Sequence, residues 1–149
     1  MKTGNIRPRM PDQLRVRIFQ AADRDAVVSL WQDTGLASRA SDAEADIELK
    51  VAEQPQFFFV GEHSGEIIAT LMAGYDGHRG WINYLATSSR YQRQGVGRAM
   101  VERAEAVLQT LGCPKINLQI RGANAAVRGF YESIGYVVED RISMGKRIE

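Results

Sequence analysis

Residues 84–99, YLATSSRYQRQGVGRA, constrain the fold more than any other part of the chain. An apolar, strand-like pattern ends here, a short polar and basic turn follows, and a loop with two glycines opens a long amphipathic pattern typical of a helix. The first turn of a helix leaves backbone N–H groups without partners at the positive end of the helix dipole. With arginines beside it, this segment predicts a binding site for an anion such as a phosphate.

The patterns on either side of this segment predict an α/β fold. A half-buried strand is expected over residues 14–19, and three β-prone stretches separated by turns predict an antiparallel meander over residues 57–87. Four helices are predicted. The first covers residues 23–34 with Asp23 as its cap, the second runs from about Ser41 to before Pro55, and the others cover 95–111 and 123–133. A strand at 115–120 and closing strands within 136–147 complete the prediction.

Length and composition favour one globular domain. The chain has 149 residues and a formal net charge of +1, so we expect a domain over residues 14–149 after a flexible extension at 1–13, and no bulk attraction to nucleic acid or membrane. No apolar run reaches the roughly 18 residues that span a bilayer, and no signal-peptide pattern is present, so a cytoplasmic location is expected. Cys113 is the only cysteine, and His63 and His78 are too few for a zinc site; no metal is predicted.

Two nucleotide-binding patterns do not fit the glycine loop. A dinucleotide fingerprint requires a third glycine or alanine where Met100 stands, and its preceding strands would be parallel. A P-loop requires GxxxxGK followed by Ser or Thr, which is absent. Taken alone, a GxG before a helix fits a tight turn as well as a ligand site.

Two ordered motifs carry a family resemblance. Residues 92–97, QRQGVG, match the pattern Q/R-x-x-G-x-G/A, and Asn124 followed by FYE at 130–132 and GY at 135–136 matches a second segment at the right distance. Over residues 14–148 the chain therefore resembles the GNAT superfamily of N-acetyltransferases, in a small bacterial single-domain branch. The resemblance implies a mixed central sheet of about six or seven strands with about four helices, in which an antiparallel meander comes first and a parallel pair of strands in the middle splays apart.

The resemblance also implies the co-substrate and its site. Acetyl-CoA would donate the acetyl group, its pantetheine arm running beside the end of the fourth strand, where the backbone of Leu85 would polarise the acetyl carbonyl. Tyr131 would be the proton donor to the departing thiolate. The implied coenzyme-binding residues are Leu85, Ala86, Thr87, Gln92, Arg93, Gln94, Gly95, Val96, Gly97, Arg98, Asn124 and Tyr131. Arg90 and Arg121 are further candidates for contacts with phosphate.

The general base and the acceptor stay open. Gln119 occupies a position where related N-terminal acetyltransferases often have glutamate, and an amide cannot accept a proton. Histidine is a common general base, but His78 lies in a turn pattern, so a water chain is the default expectation. The acceptor is an amine of an unidentified small molecule or protein, attacked directly in a ternary complex, and a homodimer is possible. The alternative function is an acyl-CoA-binding regulatory module without transfer activity.

Overall fold

The structure is a computed structural model that describes residues 13–122 and 124–149. The longer elements follow the order β1 (Arg15–Ile18), α1 (Arg24–Asp33), α2 (Ala40–Glu53), β2 (Phe58–His63), β3 (Glu66–Tyr75), β4 (Gly80–Thr87), α3 (Val96–Thr110), β5 (Ile116–Leu118) and α4 (Ala125–Ser133). The described residues separate into two compact units, one ending at Leu118 and the other being Gln119–Glu149. The predicted extension at 1–13 lies outside the described residues except for Gln13, and the single domain over 14–149 stays a prediction.

The first unit contains a five-stranded mixed sheet in the order β1-β2-β3-β4-β5. The pairs from β1 to β4 are antiparallel, whereas β4 and β5 pair in parallel. The α/β class, the antiparallel meander and a parallel pair are confirmed, but the pair includes the edge strand β5 of the described sheet and does not lie in its middle. The parallel pairing covers only three residue pairs, from Gly80 with Ile116 to Ile82 with Leu118.

The prediction of six or seven strands is wrong, since the described residues form five. The closing strands expected within 136–147 are absent from this part of the chain, which has no regular element after α4. Val137 and Val138 have the β-branched character of a strand, but they are 79% and 65% exposed and no neighbouring strand pairs with them. Strand propensity produces a strand only where a partner supplies hydrogen bonds and a surface to pack on.

Helices cover both faces of the sheet in the first unit. Trp31 of α1 donates a hydrogen bond to Thr70 of β3, and α1 and α2 form a buried cluster with the sheet residues Phe58 and Val60. Successive strand residues face opposite ways, so Gly61 lies on the face opposite to Val60. A side chain added at Gly61 would meet the sulfur of Met100 in α3 at 3.1 Å. α1 and α2 therefore pack on one face and α3 on the other. None of the described helices is long and apolar enough to cross a membrane.

Candidate functional site

A bulge interrupts β4 near its carboxyl end. The register moves from Thr70 opposite Ala86 to Met72 opposite Asn83, so two residues of β4, Tyr84 and Leu85, face one residue of β3. Tyr84 has a φ of 52°, in the left-handed region that a residue with a bulky side chain rarely adopts. Such a bulge takes backbone groups out of the ladder and redirects them. It falls at the predicted carbonyl-polarising residue, Leu85.

Buried hydrogen bonds fix this bulge from the face that carries α1. The indole N–H of Trp31 donates to the hydroxyl of Thr70 over 2.8 Å, and that hydroxyl donates to the carbonyl of Tyr84 over 2.9 Å. Trp31 and Thr70 are fully buried, so neither has water as an alternative partner. The Tyr84 ring stacks on Trp31 with 4.1 Å between ring centroids. The backbone at the bulge is thus held by a side-chain network.

Beyond the bulge, β4 runs past the end of its parallel partner. Pairing with β5 stops at Ile82, and among the described residues no strand covers the following stretch, 83–87, on that side. This stretch contains the predicted arm-binding residues. The side chains of Leu85 and Thr87 are half-buried, whereas that of Ala86 belongs to the core beneath α1 and α2. Any contact of Ala86 with a ligand would involve its backbone.

The glycine loop leads into α3 without a side-chain cap. Gly95 is the N-cap residue, with φ 80° and ψ 7°, and no side-chain cap hydrogen bond is present among the described residues. The first turn also contains no acidic residue. Within the part of the chain that the structure describes, neither a capping side chain nor a first-turn acid compensates its N–H groups and the positive end of the helix dipole. The predicted loop residues Gln92, Arg93, Gln94, Gly95, Val96, Gly97 and Arg98 lie in the turn before α3 and its first positions.

All four arginines that are candidates for phosphate contacts are exposed, and two of them form ion pairs. Arg98 pairs with Glu102 over 3.0 Å, and Arg90 pairs with Glu66 over 3.1 Å. Arg93 is exposed and has a positive φ of 62°. Exposed pairs of this kind are weak, so an anionic ligand could displace them at little cost. Arg121 belongs to the second unit and is also exposed.

The second unit contains the other motif residues. The side-chain oxygen of Asn124 accepts a hydrogen bond from the N–H of Val127 over 3.2 Å and so caps α4. Tyr131 is 6% exposed, and its ring makes edge contacts with Phe130 and Tyr136. Burial raises the pKa of Tyr131 to about 12. Its phenol is therefore protonated throughout the neutral range.

Hydrogen bonds with other protein groups involve Gln119, Cys113 and the turn that contains His78. Gln119 donates from its amide to the hydroxyl of Ser143 over 2.5 Å, within the second unit. His78 is exposed in a turn where Asp76 accepts the backbone N–H groups of His78 and Arg79, which hold the pKa of that carboxyl below its usual range. Cys113 is half-buried and its thiol donates to the carbonyl of Lys115. Within residues 13–122 and 124–149, no group of three or more His, Cys, Asp or Glu is placed to hold a metal ion.

Sequence reasoning missed the network at the bulge. Thr70 is the one polar residue within the apolar run IIATLMA of β3, which is the signal that marks it. The hydroxyl of Tyr84 donates to the carboxylate of Asp46 in α2, a pair separated by 38 positions that no local pattern predicts. Trp31 is a fully buried core residue, and its N–H also takes part in the network.

A model of the acetyltransferase (GNAT) family matches residues 20–136, most of the chain. The chain belongs to this family. A protein named acetyltransferase from Pectobacterium atrosepticum is 42% identical over 135 residues, covering 91% of this chain and 96% of its own. Another, from Yersinia enterocolitica, is 40% identical with the same coverage. A solved aminoglycoside N-acetyltransferase in complex with CoA shares the fold at 12% identity, with a TM-score of 0.75 over 91% of this chain and 95% of that one.

These likenesses decide between the two function classes left open by the motifs. The GNAT family is a family of transferases, and relatives that match nearly the whole chain are named acetyltransferases. This protein is therefore an enzyme of the acyltransferase class, and a regulatory module without transfer activity is not favoured. Members of the family use acetyl-CoA as the acetyl donor.

Proposed function

We propose that this GNAT acetyltransferase moves an acetyl group from acetyl-CoA to an amine by direct attack in a ternary complex. One observation carries the proposal: the start of α3, after QRQGVG, has a left-handed glycine at its N-cap, no side-chain cap and no acid in its first turn. That arrangement suits a bound pyrophosphate, because the free N–H groups and the dipole both favour negative charge. In this proposal the amides of residues 92–98 hold the pyrophosphate.

The uncovered edge of β4 takes the pantetheine arm. An extended arm needs backbone partners along a strand, and residues 85–87 lie beyond the end of the β4–β5 pairing. The bulge at Tyr84 supports a role for the N–H of Leu85 as the hydrogen-bond donor to the acetyl carbonyl oxygen. A fixed donor aimed at that oxygen stabilises the negative charge that develops there when an amine attacks.

Tyr131 acts on the departing sulfur. The neutral amine attacks the carbonyl carbon, a C–N bond forms and the C–S bond breaks, so that the nitrogen loses a proton and the sulfur gains one. With the pKa of Tyr131 raised to about 12 and that of a thiol near 8.5, complete proton transfer from phenol to sulfur is uphill by roughly 5 kcal/mol. The phenol therefore stabilises the leaving sulfur by a charge-assisted hydrogen bond, and water relays the net proton.

The amine loses its proton through water in this scheme. Gln119 has no basic atom, and His78 lies exposed in a turn organised by Asp76. Asn124 caps α4, so it would contribute to coenzyme binding by fixing the position where that helix starts.

Calorimetry and a thiol-release assay test the proposal together. Purified protein is titrated with acetyl-CoA and then assayed for free thiol with a broad panel of amines. We expect saturable binding of acetyl-CoA and thiol release that depends on at least one amine. Absence of both would contradict the proposal, and binding without amine-dependent release would point back to a module without transfer activity.

A further inference from the structure

Asp46 differs from the other acidic residues of α2. Three of the four others pair with arginines, Asp42 with Arg39 at 3.2 Å and Glu44 and Glu48 with Arg24 at 3.8 and 3.0 Å, and Glu53 is exposed at the last position of the helix. Asp46 is half-buried and forms its hydrogen bond with the neutral hydroxyl of Tyr84. Among the described residues, no cation pairs with its carboxylate.

The nearest basic residue along the helix does not neutralise Asp46. Lys50 lies one turn further on, but its ammonium donates to the backbone carbonyl of Ala73, and burial lowers the pKa of Lys50. A positively charged ligand that reached Asp46 would form the ion pair that this carboxylate lacks among the described residues.

Asp46 is tied to the bulge that organises the proposed acetyl site. Its partner Tyr84 has its ring fixed against Trp31 and its carbonyl held by Thr70, so the hydroxyl is presented in one position. The next residue in the chain is Leu85. The carboxylate therefore stands one tyrosine side chain away from the backbone N–H proposed to bind the acetyl oxygen, on the face that carries α1 and α2.

The chemistry of attack limits which group Asp46 binds. The nitrogen that attacks a carbonyl has to be neutral, and a carboxylate holding it as an ammonium ion would oppose the reaction. A separate charge on the acceptor has no such conflict. From this geometry we infer that Asp46, with Tyr84, binds a second positive charge of the acceptor, so that the substrate class is an amine bearing a further cationic group several bonds from the reacting nitrogen. The inference rests on the proposed function.

The test compares two amines with the same carbon chain. Cadaverine carries a second ammonium group and pentylamine does not. Thiol release at saturating acetyl-CoA gives kcat/KM for each, with wild type, Asp46→Asn, Asp46→Glu and the control Asp42→Asn, which removes the same charge from an exposed site on the same helix. Asparagine keeps an oxygen acceptor for the Tyr84 hydroxyl, and glutamate keeps the charge.

We expect wild type and Asp42→Asn to favour cadaverine by roughly tenfold or more, the scale of one charge-assisted hydrogen bond. Asp46→Asn should bring the ratio close to the statistical value for two equivalent amino groups against one, mainly by raising KM for cadaverine, and Asp46→Glu should restore part of the preference. An unchanged ratio of kcat/KM in Asp46→Asn would overturn the inference. So would a wild type that shows no preference for cadaverine over pentylamine, or one that acetylates other amines but neither of these two. Loss of acetyl-CoA binding in the wild type would instead count against the proposed function.

Discussion

Replacing Thr70 by valine tests whether the buried network holds the β4 bulge. The hydroxyl of Thr70 accepts from Trp31 and donates to the carbonyl of Tyr84. Valine keeps the branched shape but offers no partner to either group. Trp31 is fully buried, so its N–H would be left without water as well. An unsatisfied buried donor costs about 1–3 kcal/mol, and we expect Thr70→Val to lose about 2 kcal/mol of unfolding free energy.

Thr70→Ser is the matched control. It keeps the hydroxyl and loses one buried methyl group, which costs about 0.8 kcal/mol by transfer. Urea unfolding followed by far-ultraviolet circular dichroism gives both free energies. A Trp31→Phe background removes the donor, so Thr70→Val should cost about 1 kcal/mol less there than in wild type. If Thr70→Val proved as stable as Thr70→Ser, or if the two sites did not couple, the network would not hold the bulge.

Two further predictions concern catalysis and packing. Tyr131→Phe should lower kcat for thiol release by roughly 10- to 100-fold with little change in acetyl-CoA affinity, since a charge-assisted hydrogen bond is worth about 1.5–3 kcal/mol. Because the pKa of Tyr131 is raised to about 12, ionisation of Tyr131 should cause no loss of wild-type kcat between about pH 8 and 10. A loss in that range that disappears in Tyr131→Phe would contradict this prediction. Gly80→Ala should lower the free energy of unfolding in urea by about 1–3 kcal/mol, because the new Cβ would lie 2.9 Å from both the Cys113 sulfur and a Leu108 methyl. In the control Gly129→Ala, in α4, the new Cβ meets nothing within 4 Å and should not destabilise the protein. Equal effects of the two substitutions would refute the steric argument.

Local patterns predicted the elements whose chemistry is local. The start of α3 follows from a glycine loop before an amphipathic run, and the structure has α3 at Val96–Thr110 within the predicted 95–111. β3 at Glu66–Tyr75 lies within the meander predicted over residues 57–87, and turn signals bound it on both sides. The helix at Ala40–Glu53 ends before Pro55 as expected.

Features that depend on distant partners were not predicted. Asp23 occupies the N-cap position of α1, yet its carboxylate binds Arg17 over 2.7 Å and the N–H of Gln20 over 2.9 Å, and it does not cap that helix. The Tyr84 bulge depends on register against β3, and nothing in the residues YLAT marks a left-handed tyrosine. The pairing of Tyr84 with Asp46 requires α2 to be docked on the sheet.

A charge placed at the start of α3 tests the central claim most directly. Gln94 stands next to the N-cap residue, and Gln109 is exposed in the last turn of the same helix. Gln94→Glu adds a carboxylate that suits the helix dipole and repels a pyrophosphate; Gln109→Glu makes the same change at the far end. By calorimetry, we expect Gln94→Glu to weaken acetyl-CoA binding by about 10-fold or more without loss of thermal stability, and Gln109→Glu to bind like wild type. Equal affinities for all three proteins would contradict a pyrophosphate site at this helix start.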